Sequence, residues 1–158
     1  MKTIVMALLG SVGGIANVLI VVLVVWMIFA ILAVNFYGGK MQYCTVDEFK
    51  MQTKAECLLN RGQWKTKNFN FDSVPSAMFT LFVVASIENW PAIMFDTINS
   101  NDIEKGPIFM SNILNGYFFV VYLLIGSFLF LNLFVGVIFK EFEDAIAEEK
   151  AAMMLKDS

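Results

Sequence analysis

No aspartate, glutamate, lysine or arginine interrupts the chain between Thr3 and Gly39, or again between Gly106 and Phe139. Each stretch is longer than the roughly 20 apolar residues that carry a helix across the hydrocarbon core of a bilayer. Composition points the same way. Of 158 residues, 58% are apolar and none is histidine, whereas a soluble domain averages nearer 45–50% apolar. The expectation is an all-α membrane protein with two spanning helices. A cleaved signal peptide is a poor description of the first stretch, because the apolar run is too long and no small-residue cleavage site follows it. We expect a cytoplasmic linker helix over 1–16, broken at Gly10, Gly13 and Gly14 from an outer transmembrane helix over 17–36; the alternative is one long tilted helix. An inner transmembrane helix over 112–140 continues into a helical tail over 141–158. In that tail Phe142 and Ile146 fall four apart, opposite a solvated face of Glu143, Glu148, Glu149 and Lys150.

Between the two spans the chain turns polar. Residues 37–72 form a loop that holds both cysteines, Cys44 and Cys57. Their wide separation is not the C-x-x-C spacing of a metal or redox pair, and it suggests a structural disulfide. A bond closing a loop of that size stabilises by roughly 3 kcal/mol in the chain-entropy account. An oxidised loop would face outward and leave both termini cytoplasmic. The basic residues Lys40, Lys50, Lys54, Arg61, Lys65 and Lys67 argue the opposite under the positive-inside rule. No N-x-[ST] site decides between the two.

The segment 73–99 is too short to span. Asp72 or Ser73 is placed to cap a helix, and Pro75 is tolerated in its first turn. From Ser73 to Ala85 that helix covers only about 20 Å, well short of a core about 30 Å thick. Pro91 suits the first turn of a second short helix reaching Ile98, with Asn89 or Trp90 near its cap. The intervening Ser86–Trp90 must then turn back within the membrane. Backbone of that kind survives at depth only inside protein or beside water. Glu88 sits at its tip, and a carboxylate at membrane depth is a functional candidate by default. The bland alternative pairs Glu88 with a lysine of the outer loop. A cation is the ligand that fits, since the first short helix turns its partially negative C-terminus toward the loop. The carbonyls of Ser86 and Ile87 add oxygen ligands. Trp90 either wedges the loop against a neighbouring segment or packs as an ordinary core residue. A second outer loop follows over 100–111.

Taken together, these features resemble the pore module of voltage-gated calcium and sodium channels, most closely the third repeat of the four-repeat eukaryotic channels. The likeness is carried by "VNFYGGK" (34–40), "NFDSVPSAMFTLF" (70–82), "ASIENWPAIM" (85–94), "EKGPI" (104–108) and "GSFLFLNLFVGVIFKEF" (126–142). The resemblance implies one quarter of a tetrameric or pseudo-tetrameric channel, with a re-entrant helix–filter–helix loop between the two spans. It places Glu88 in a ring of four filter carboxylates, with Ser86, Ile87 and Asn89 beside it and Trp90 as support. Family sodium channels carry lysine at this position of the third repeat, so Glu88 implies calcium selectivity. "WMIFAILAVNFYGGK" and "GSFLFLNLFVGVI" look more like sodium channels, and Ser86 and Asn89 replace the family's usual Thr and Gly. The outer loop is extracellular throughout the family, which settles the orientation in favour of cytoplasmic termini in a multi-pass protein of the cell membrane.

The expected function is therefore a calcium-selective cation channel pore. A sodium-selective or non-selective pore is the alternative, and a non-conducting auxiliary membrane subunit the second. A potassium channel would need a TVGYG-like carbonyl filter. An enzyme is excluded by the lack of histidine, of a metal-ligand cluster and of a nucleophile–base pair. No cofactor is expected, and the permeant Ca2+ or Na+ pauses at Glu88 without being a resident metal. Leu131, Val135 and Ile138 or Phe139 share one face of the inner helix and form the expected pore lining or gate. Asn132 is expected to hydrogen-bond to a neighbouring helix. The expected partners are the lipid bilayer and three further pore modules, identical copies or other repeats, together with voltage-sensor domains and auxiliary subunits. Nucleic acid is not among them. Arg61 is the only arginine, so the arginine-rich voltage-sensing helix of the family is not present in these residues.

Overall fold

The computed structural model describes the backbone of residues 2–156 and the side chains of 19–155 other than that of Phe130. Five helices and one short antiparallel ribbon follow in the order α1 (Lys2–Tyr37), β1 (Gln42–Cys44), α2 (Lys54–Leu59), β2 (Trp64–Thr66), α3 (Val74–Ala85), α4 (Trp90–Asn99) and α5 (Asn115–Lys156). Two stretches, Leu19–Tyr37 within α1 and Asn115–Leu155 within α5, are long and apolar enough to cross a membrane, their most apolar 18-residue parts having mean hydropathies of 2.9 and 2.5. The chain is mostly helical, as its sequence indicates.

Three boundaries differ from the sequence reading. α1 is unbroken across Gly10, Gly13 and Gly14. Each interior glycine costs a helix roughly 1 kcal/mol, but an apolar medium offers freed backbone groups no water, so intact helical hydrogen bonds win. The inner helix starts at Asn115 rather than 112, after successive turns through 109–114. The outer loop is not free of strands. β1 and β2 pair Gln42 with Thr66, Tyr43 with Lys65 and Cys44 with Trp64.

The chain divides into two compact units, Val25–Ser127 on one hand and Met1–Val24 with Phe128–Ser158 on the other. The first unit contains the loops and short helices. Its core is aromatic. Tyr37, Phe71 and Phe119 are each essentially inaccessible to solvent, with ring centroids 5.4 Å apart for Tyr37 and Phe71, and 6.2 Å for Phe71 and Phe119. Edge-on and tilted pairs of this kind add about 0.5–1.5 kcal/mol each beyond area burial. They clamp the end of α1, the loop that leads into α3 and the first turns of α5 to one another. Leu81 and Val84 of α3 and Ile93 of α4 extend the core. Two buried or half-buried hydroxyls peg α5 in place, Tyr122 donating to the Leu81 carbonyl at 2.9 Å and Tyr37 donating to that of Asn115 at 3.2 Å. In the second unit, the α5 segment beyond Phe128 carries a run of solvent-exposed apolar side chains, from Leu131 to Met154.

The disulfide between Cys44 and Cys57 is formed, joining β1 to α2. Gly62 closes tightly over it: a Cβ there would lie 2.6 Å from the sulfur of Cys44 and 2.7 Å from that of Cys57. A capping box at Thr53 and Glu56 starts α2. The second loop docks on this subdomain through the Gly106 amide, which donates to the Gln52 carbonyl at 2.9 Å.

Candidate functional site

The site is the connection between α3 and α4. Ser73 caps α3 by accepting from the Ser76 amide, and Pro75 occupies its first turn. Asp72, the alternative cap, instead accepts from the Gly39 amide at 2.9 Å and ties the loop to the end of α1. Asn70 anchors the same end: its carbonyl accepts from Thr80 at 2.9 Å, and its side-chain oxygen accepts from Ser76 at 2.8 Å. α3 thus enters the core on fixed polar pegs, with Ala77, Thr80, Leu81 and Val84 buried.

α3 ends at Ala85 in a Schellman-type cap. The Ile87 amide donates to the Val84 carbonyl at 3.0 Å and the Glu88 amide reaches back to Val83 at 3.3 Å. That geometry needs a left-handed residue at Ile87, which has φ 63°. Glycine normally fills such a position, and a β-branched residue there is a strained outlier. Asn89, with φ 48° and ψ 14°, is left-handed as well and precedes α4 as its N-cap without a side-chain capping bond. Only Ser86, Ile87, Glu88 and Asn89 separate the two helices, and all four are exposed. The cap alters one expectation. It occupies the carbonyls of Val83 and Val84, so much of the negative helix end is already hydrogen-bonded. The carbonyls of Ser86 and Ile87 accept no hydrogen bond among the described residues.

Glu88 forms no ion pair among the described residues. The loop lysines that pair do so elsewhere: Lys50 with Asp47, Lys54 with Glu104, Lys105 with Asp102 and Lys67 with both Glu48 and Asp96. The bland reading of Glu88 as partner of an outer-loop lysine is therefore not what the chain adopts. Trp90 opens α4 half-buried. Its indole N–H meets no acceptor among the described residues.

The charge cluster at Lys67 was not legible beforehand. Its ammonium lies 2.6 Å from Glu48, 3.2 Å from Asp96 and 4.7 Å from the centre of the Tyr43 ring. Asp96 belongs to α4, so this lysine links the outer loop to the helix that follows the connection. Burial pushes the Asp96 carboxyl above its ordinary pKa, and the lysine's charge only partly opposes that. Burial pulls Lys67 downward, but the hydrogen bond it donates to Glu48 and the charge of Asp96 outweigh it, for a net rise. Both groups are raised: one ammonium serves two carboxylates, with Glu48 the nearer, so its charge does not fully offset the burial of Asp96. The other end of α4 is held by Asn115, whose amide donates to the Thr97 carbonyl at 2.7 Å, and by Asn112, which donates to Ser100 at 2.7 Å.

The expected inner-helix residues lie in the other unit. Leu131, Val135, Ile138 and Phe139 are all exposed on α5, at spacings that place them along one side. Asn132 is exposed too, and its amide makes no hydrogen bond among the described residues.

Comparison with known proteins shows the family. A family model described as "Ion transport protein" matches residues 1–150. The sodium channel protein type 4 subunit alpha B of Takifugu rubripes is 35% identical over 94% of this chain and 9% of its own length. The voltage-dependent T-type calcium channel subunit alpha-1H of Rattus norvegicus is 34% identical over 96% of the chain and 6% of its own length. Sodium channel protein 1 brain of Heterololigo bleekeri is 39% identical over 90% of the chain and 10% of its own length. The chain spans about a tenth or less of the length of these relatives. It belongs to the ion transport protein family, and its homologues are sodium channel and T-type calcium channel alpha subunits rather than enzymes.

Proposed function

We propose that this chain is a membrane-embedded pore module of a cation channel, calcium-selective, in which Glu88 lines the ion path at the tip of a re-entrant α3–α4 hairpin. The observation that carries this reading is the connection itself: four exposed residues, two of them left-handed, presenting one carboxylate without an ion pair among the described residues, beside two carbonyls that accept no hydrogen bond among them. One hairpin encloses nothing. Four modules, identical copies or successive repeats, would set four Glu88-type carboxylates around an axis. Two such charges about 5 Å apart repel by roughly 3 kcal/mol at an effective dielectric of 20. A bound cation relieves that repulsion, and a divalent ion relieves about twice as much. Conduction follows when a second ion enters and displaces the first. Ions are substrate here, and no cofactor is involved. Leu131, Val135 and Ile138 or Phe139 would form the apolar constriction that closes the path by dewetting. Trp90 would find its indole acceptor on a neighbouring module.

Sodium selectivity is the second reading, favoured by the relatives named as sodium channels and by the sequence around α1 and α5. Reconstitution into liposomes separates the two. Calcium and sodium flux are measured for the native chain and for Glu88→Gln. The expected outcome is loss of calcium preference by about tenfold or more, the effect of removing roughly 1.4 kcal/mol of site selectivity, with assembly intact. Unchanged calcium preference in the variant would remove Glu88 from the ion path.

A further inference from the structure

Within the Val25–Ser127 unit, a groove of about 750 Å³ runs along the outer part of α1 and the first turns of α5. That is the size range that encloses a small amphiphile, roughly 300–1,000 Å³. Its wall is built of Phe29, Phe36 and Phe118, set edge-on at 5.9 Å for Phe29 and Phe118 and 6.3 Å for Phe36 and Phe118. Leu32 and Tyr117 continue the apolar surface, and both are exposed. The polar groups along it are mostly spent. The Asn35 amide donates to the Ile31 carbonyl at 2.8 Å, and the Tyr37 hydroxyl donates to Asn115. Lys40 is the exception. It is the one charged residue lining the groove, and among the described residues its ammonium makes no ion pair. The carboxylate of Asp102, which feels its charge, is held by Lys105 at 3.5 Å.

Height matters as much as composition. The stretch of α1 that ends at Tyr37 is long and apolar enough to cross a hydrocarbon core about 30 Å thick. Lys40 stands just past its end, at the level where lipid phosphates lie, with the aromatic wall on the hydrocarbon side. A cation above and an apolar trough below match an amphiphile with an anionic head and an acyl tail. We propose that the groove holds one anionic glycerophospholipid of the leaflet next to the disulfide-bearing loop, its phosphate at Lys40 and one chain along the phenylalanine wall. The site is independent of Glu88 and of which ion permeates.

The test uses the chain in nanodiscs containing equal phosphatidylglycerol and phosphatidylcholine, with lipid retention read by native mass spectrometry. A diazirine-bearing acyl chain reports where the tail lies. The native chain is expected to retain phosphatidylglycerol about fivefold over phosphatidylcholine, the effect of one basic residue near a lipid surface. Lys40→Gln is expected to abolish that preference, while Lys54→Gln, in the outer loop, leaves it. Val121→Trp, which fills the trough, is expected to reduce tail cross-linking for both lipids. Equal retention by the native chain and Lys40→Gln would overturn the proposal. So would cross-links mapping away from residues 29–36 and 114–121. Removal of the preference by excess inorganic phosphate would reassign Lys40 to a free anion and overturn the lipid as occupant.

Discussion

Ile87 carries a left-handed backbone that an L-residue enters at a cost of about 1–2 kcal/mol. The cost is met because the alternative leaves the Val83 and Val84 carbonyls bare at the end of a helix. Ile87→Gly is therefore expected to raise the unfolding midpoint in detergent, by the equivalent of about 1 kcal/mol. It should also loosen the connection and weaken ion discrimination, measured as calcium-over-sodium flux. A lowered midpoint would show that Ile87 is held by packing rather than strained. This residue also marks where sequence reading ran short. Ser73, Pro75 and Pro91 announce helix ends through side-chain chemistry, and the structure uses all three in the first turns or caps of α3 and α4. A left-handed isoleucine announces nothing, since intrinsic preference argues against it. Its conformation is imposed by the closeness of two helices already fixed elsewhere.

Among the elements, α4 is positioned by groups outside the connection, chiefly the Lys67 link to Asp96. Lys67→Met would leave a largely buried carboxylate unpaired, which costs about 3–5 kcal/mol for a fully buried pair. The two side chains retain 23% and 29% exposure, so about 1–3 kcal/mol is expected here. Adding Asp96→Asn should recover most of the loss. The pH dependence has a definite sign. Asp96 has a raised folded pKa, so the stability tied to it is fully present below its ordinary value and is lost as pH rises through the folded one. In Lys67→Met the deficit should accordingly shrink on acidification, read as melting midpoints at neutral and mildly acidic pH. Lys67, also raised, contributes stability below its ordinary pKa that disappears only at more alkaline pH. Gly62→Ala forms a separate prediction: with no room beside either sulfur, it should destabilise the oxidised outer loop and make the disulfide easier to reduce, scored by thiol labelling after mild reductant. The disulfide was readable from spacing and context. The ribbon was not, because strands of three residues give too little alternation, and the Lys67 cluster was not, because its members are brought together only by tertiary packing.

At the scale of the whole chain, the two long apolar helices were legible from the charge-free stretches of the sequence alone. The exposed apolar face of α5 beyond Phe128 has no partner within the chain's described residues that would explain Leu131, Val135, Ile138 and Phe139 on one side. In the proposed pore, a closed ring of these side chains from four modules would account for it. Val135→Asn should then wet the constriction and raise resting cation leak several-fold in liposomes, whereas an ordinary packing position would lose assembly instead. The account depends most directly on where Glu88 stands, and the chain permits a clean measurement. Both native cysteines are in the disulfide and no free cysteine exists, so Glu88→Cys introduces the sole reactive thiol. Cation flux in reconstituted liposomes is recorded before and after a cationic methanethiosulfonate reagent. Rapid block of Glu88→Cys, slowed by calcium and absent from the native chain, is the expected result. Complete labelling of that thiol with flux unchanged would contradict it.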